Sequence, residues 1–145
     1  MKNLFRTGTI ALVLSLGTSS AIAGVNWKPY TKGAVAQAET SEKPIILGFH
    51  KKGCGTCFEQ ERLLLKSGIS FDEKSKTHSL NGKLISILRV EQKESDMNAV
   101  YEKYGFNRKK QWAAMVLLKD GKEVARLEPG ITDETKIKEF LAKAN

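Results

Sequence analysis

The tightest constraint on this chain is the join between the apolar run Ile45-Ile46-Leu47-Gly48-Phe49 and the segment Cys54-Gly55-Thr56-Cys57. The run reads as a buried strand. The segment opens a helix that extends to about Lys66, where Ser67-Gly68 ends it. With Cys57 one helical turn beyond Cys54, the two sulfurs come close enough to form a disulfide. Cys54 then stands at the helix N-terminus, where free backbone N–H groups and the positive end of the helix dipole stabilise a thiolate. That makes Cys54 the candidate nucleophile and Cys57 the more buried resolving thiol. No other cysteine is present. Two further uses of the pair stay open, a stapling disulfide and half of a metal site. So short a loop restricts the unfolded chain little, which weakens the staple, and a four-sulfur metal site lacks its second pair.

The N-terminus bears on compartment. Lys2 and Arg6 precede the short apolar stretch Ile10-Ala11-Leu12-Val13-Leu14-Ser15-Leu16, and Ala21-Ile22-Ala23 supplies small residues for cleavage. Residues 1–23 therefore read as a secretory signal, with 24–145 as the exported domain. The stretch is too short to span a bilayer, so no stable membrane insertion is expected after cleavage. A periplasmic or secreted location allows a cysteine pair to be oxidised.

The remaining chain has the length of one domain with one modest core. The whole sequence carries 24 Lys plus Arg against 16 Asp plus Glu, a formal charge of +8, and the part from residue 24 onward, without Lys2 and Arg6, keeps +6. That balance favours acidic partners. Nucleic acid is not expected, because no basic motif interleaved with aromatics occurs.

Periodicity alternates between helix and strand. Val25 to Tyr30 is an anchoring lead-in, with Trp27 read as a core residue, and Ala34, Val35 and Ala38 mark a helix over about 31–40. After the cysteine helix, the polar stretch 69–82 is expected as an irregular surface excursion carrying His78. Residues 84–90 form a second strand. Ser95 or Asp96 caps a third helix with a stripe of Met97, Val100, Tyr101 and Tyr104, ended by Gly105. Asp120-Gly121 joins two strands as a hairpin, and Thr132 caps a closing helix with Ile137, Phe140 and Leu141 on one face. The order predicts an α/β fold, a mixed four-stranded sheet with helices on both faces.

With Cys-x-x-Cys at the first strand-to-helix junction, the chain resembles the thioredoxin superfamily, and exported thioredoxin-like domains in particular. Asn26-Trp27, Ala34 to Ala38, Lys43-Pro44 and Tyr104-Gly105 carry the resemblance beyond the cysteines. It implies dithiol–disulfide exchange with protein thiols, in which Cys54 attacks and Cys57 resolves the mixed disulfide. It also implies a protein that recycles the pair, and no cofactor or metal beyond the redox-active disulfide. The readings that compete with this are a thioredoxin-fold binding module with a structural disulfide, and a metal or iron–sulfur carrier using both cysteines.

Several positions depart from the family pattern. Its cis-proline falls on Ala113, where a trans bond is expected because a non-proline cis bond costs about 2.5–4 kcal/mol. A trans Ala113 keeps an N–H that could face the thiols, with Trp112 beside it as a lid, a substrate platform or a core residue. Gly48 stands in the place of a buried acid, Gly53 in that of a tryptophan, and Thr56 in that of a proline. His50, Lys51 and Lys52 precede the pair. A charged His50 would lower the Cys54 pKa, and a strand-end His50 without a role is the alternative. Lys51-Lys52 and Arg108-Lys109-Lys110 are expected to border the same face, where an acidic partner would meet them.

Overall fold

Strand β2 (Ile45–His50) is buried along its whole length, and the sheet is laid out around it. The computed structural model describes residues 24–93 and 97–145. In chain order the other elements are β1 (Lys28–Pro29), α1 (Lys32–Thr40), α2 (Gly55–Lys66), β3 (Ile69–Asp72), β4 (Thr77–Leu80), β5 (Lys83–Glu91), α3 (Asn98–Lys103), β6 (Ala114–Lys119), β7 (Lys122–Leu127) and α4 (Glu134–Ala142). The strands run β3-β4-β5-β2-β6-β7, with β1 paired to β5 off this path. Strand β2 is parallel to β5 and antiparallel to β6, and β6 and β7 form the hairpin expected at Asp120-Gly121. Strands β5, β2, β6 and β7 are thus the four-stranded mixed sheet read from the sequence, and β1, β3 and β4 are added to it.

Side-chain alternation divides the core into two layers. Ile46, Ile87, Met115 and Leu117 face one way and pack under Leu63 and Leu64 of α2 and Ile137, Phe140 and Leu141 of α4. Ile45, Leu47, Phe49, Leu88 and Val116 face the other way, against Ala38 of α1 and Val100 and Tyr101 of α3. Because helices cover both faces, β2 has no polar side and reads as a continuous apolar run.

The excursion expected over 69–82 is instead the hairpin β3–β4, which extends the sheet beyond β5. Its apolar alternation is diluted by serines and charges, yet Ile69 and Leu80 are buried and Ser70 pairs with Ser79 across the strands at 2.8 Å. Asp72 Oδ1 accepts from the Lys74 N–H at 2.8 Å and so shapes the tip. Asn81 and Gly82, both at positive φ (49° and 84°), make the turn into β5. His78, expected at the surface, is 2% exposed, tilted against Phe71, with Nε2 bonded to the Val25 carbonyl. Burial holds its pKa below the usual histidine value.

One smaller correction concerns a helix start. Asp133, one residue after the expected Thr132, caps α4 by accepting from the Lys136 N–H at 2.9 Å. The expected cap at Ser95 or Asp96 and the signal over 1–23 lie outside the described residues. Among the described residues, no helix is long and apolar enough to cross a membrane.

Candidate active site

The chain leaves β2 at His50 and turns through Lys51, Lys52 and Gly53 into α2. Gly53 sits at φ +73, where any larger residue would be strained, so the tryptophan of the family pattern has no place in this turn. Cys54 caps the helix from an extended backbone, and its Sγ accepts from the Cys57 N–H at 3.1 Å. The two cysteines are joined as a disulfide, with Cα atoms 5.3 Å apart. Both are nearly covered, Cys54 at 8% and Cys57 at 5% exposure. An N–H aimed at Cys54 Sγ on the positive helix end stabilises a thiolate there once the bond is reduced.

Ala113 and Trp112 pack directly on the pair. All peptide bonds among the described residues are trans, and Ala113 takes the left-handed conformation at φ +56. Its N–H does not face the thiols; it donates to the Phe49 carbonyl at 2.7 Å, which extends the β2–β6 ladder by one bond. The Ala113 carbonyl accepts from Gln60 Nε2 at 2.6 Å and from the Gly130 N–H at 3.0 Å. Both main-chain groups of this residue are therefore engaged internally. Trp112 is half-buried against the disulfide, and Lys51 Nζ lies 4.1 Å from its ring centre, a cation–π contact.

His50 departs from its expected charged role. It is 6% exposed, lies edge-on to Trp27 with ring centres 4.5 Å apart, and its Nε2 has no partner among the described residues. Burial, and secondarily the Arg89 guanidinium, push its pKa down to about 4. At neutral pH the ring is uncharged and contributes no positive charge toward Cys54. Trp27 also accounts for Gly48: a Cβ on Gly48 would lie 2.6 Å from the indole ring, so no acid fits there.

Of the five expected cations near the pair, Lys51 and Lys52 reach it. Arg108 instead donates to the Gln92 carbonyl at 2.7 Å and to Asn98 at 3.3 Å, and with Lys109 it lines a separate hollow beside α3. Lys110 is exposed.

Four residues that sequence reasoning missed border the site. Gln60 is fully buried and ties α2 to both flanking loops, through Ala113 and through the Ile131 carbonyl at 2.8 Å. Glu61 accepts from the Val25 N–H at 2.7 Å and from Trp27 Nε1 at 3.3 Å. Arg89, level with Gly48 on the neighbouring strand, pairs with Glu91 at 2.6 Å. The spacing of Gln60 and Glu61, three and four residues beyond Cys57, was the available signal, because such positions share a helix face. Among the described residues, no three His, Cys, Asp or Glu side chains come together as a metal site.

Solved structures with the same architecture include a crystal structure titled Trxlp from Edwardsiella tarda. It is 23% identical, with a TM-score of 0.58 over 78% of this chain and 95% of that one. The fold is that of thioredoxin. Oxidised thioredoxin from Plasmodium falciparum matches at 19% identity and a TM-score of 0.55, over 82% of this chain and 99% of its own. A mutant thioredoxin from Halobacterium salinarum matches at 15% and 0.56, over 82% and 90%. No protein-family model and no curated protein matches the chain in sequence.

Proposed function

We propose that this protein is an exported thiol–disulfide oxidoreductase that exchanges its Cys54–Cys57 pair with protein thiols and disulfides. The observation that carries the reading is the closed pair at the head of α2, with the Cys57 N–H directed at Cys54 Sγ. In the reducing direction the Cys54 thiolate attacks one sulfur of a substrate disulfide. That S–S bond breaks, and its other sulfur leaves as a thiolate and takes up a proton. Cys57 loses its proton and attacks Cys54 Sγ, which closes the protein disulfide and releases the second substrate thiol. Two electrons pass from the protein to the substrate, and the reverse sequence oxidises a dithiol. No group beyond the disulfide is required, and a second redox protein restores the starting state. The secretory pattern of residues 1–23 supports an exported location, where such a pair has partners of either redox state.

A redox titration against glutathione tests this directly. The protein should interconvert completely between dithiol and disulfide, and should accelerate reduction of a disulfide-linked peptide by dithiothreitol. The Cys54→Ser variant should do neither. A pair that resists the whole glutathione range, with no acceleration, is a staple and would refute the reading.

A further inference from the structure

A groove of about 540 Å³ opens beside the disulfide and reaches both Cys54 and Cys57. Lys51, Lys52, Arg89 and Lys93 stand around it, and Phe58, 66% exposed, forms an apolar wall. Its two acids are already engaged, Glu61 with Val25 and Trp27, and Glu91 with Arg89. Among the described residues no ion pair reaches Lys51, Lys52 or Lys93, and the four cations lining the groove outnumber its two acids. On the other side of the disulfide, a bound peptide finds the N–H and carbonyl of Ala113 both occupied. Main-chain pairing at that residue is closed, and the charged groove offers a recognition surface on the opposite side of the pair.

We propose that this groove seats an acidic segment of a protein partner, with carboxylates next to the partner's reactive disulfide and an apolar side chain against Phe58. The partner's sulfur then meets Cys54 from the side of β5 rather than across Trp112 and Ala113. This rests on the exchange reading above and specifies its substrate class. The electron count is unchanged: the dithiol gives two electrons to the partner disulfide and closes as Cys54–Cys57. Opposed charges raise the encounter rate, and salt removes the advantage.

The test uses the reduced full-length protein and three disulfide-linked peptides that differ only in flanking residues: acidic, neutral or basic. The acidic peptide should be reduced about tenfold faster than the basic one at low salt, with the ratio approaching one near 1 M salt. Lys52→Glu combined with Lys93→Glu, both at exposed positions, should invert that order. Lys109→Glu combined with Lys110→Glu should leave the order as it is. Equal rates for acidic and basic peptides, with the neutral one still reduced, would overturn the groove while sparing the exchange reading. Loss of the preference in the Lys109/Lys110 variant instead would also overturn it. Failure to reduce any peptide would overturn both readings. An unreactive oligonucleotide that blocks the groove as strongly as the acidic peptide would reassign it to nucleic acid.

Discussion

Substituting proline at Ala113 separates this loop from one built around proline. Ala113 sits at φ +56, whereas proline holds φ near −65°, so the ring enters only if the loop is rebuilt. Proline also lacks the N–H that now bonds to the Phe49 carbonyl at 2.7 Å, and that buried acceptor loses its partner at a cost of about 1–3 kcal/mol. Rebuilding displaces the Ala113 carbonyl from Gln60 and Gly130, and the backbone misfit itself costs about 3 kcal/mol. A loss of at least about 4 kcal/mol follows, a large share of the roughly 5–15 kcal/mol that stabilises a typical domain. At roughly 3–6 °C per kcal/mol for a chain of this size, Tm falls by about 12 °C or more. Ala113→Gly is the control. Glycine removes a left-handed penalty of about 1 kcal/mol but deletes a buried methyl worth about 0.8 kcal/mol, so its Tm stays within about 5 °C. Thermal unfolding followed by circular dichroism reads both variants. An Ala113→Pro protein melting with the wild type would show that the loop does not hold this conformation.

Acid should weaken the fold through His50. Its pKa is about 4 in the folded protein against 6.5 for the free ring, so the unfolded chain binds more protons between these values. Stability is therefore full above about pH 6.5 and falls by about 3 kcal/mol as pH drops to 4 and below, with His78 adding loss in the same direction. Urea unfolding across this range measures the loss, and a His50 ring titrating near 6.5 by NMR would contradict it. Because His50 is neutral at pH 7, His50→Gln should leave the titration of thiolate absorbance at Cys54 where it was, whereas neutralising Lys51 and Lys52 should move it upward. A large upward move in His50→Gln would restore the charged role. Gln60→Leu removes two bonds to loop carbonyls and should cost about 1–3 kcal/mol in urea unfolding; no loss would mean that Gln60 does not hold the loops.

The parts of this protein legible in its sequence are those with strong local signals. The apolar run of β2, the stripe of α3 and the Asp120-Gly121 turn each carry a period or a turn chemistry that few structures satisfy. The β3–β4 hairpin was hidden because polar residues fill its exposed face, and because Asn81-Gly82, a hairpin turn by composition, was absorbed into a loop. At the site, the cysteine spacing revealed the helix cap, and the missing proline marked Ala113 as trans. The state of His50 was not legible. It depends on Trp27, 23 positions earlier in the chain, packing on the ring over a glycine in β2. The direction of the Ala113 N–H depends on Phe49 in the same way, since long-range packing leaves no periodic trace.

Trapping of the mixed disulfide tests the central claim most directly. A Cys57→Ser protein retains the helix-capping sulfur but lacks the one that resolves the intermediate. Incubated with a disulfide-linked peptide, it should accumulate a covalent adduct whose peptide map places the bond on Cys54, released by dithiothreitol. Cys54→Ser, treated identically, should remain unmodified. An adduct that forms on Cys57 in the Cys54→Ser protein, with none on Cys54 in its counterpart, would contradict the assignment of nucleophile and resolving thiol.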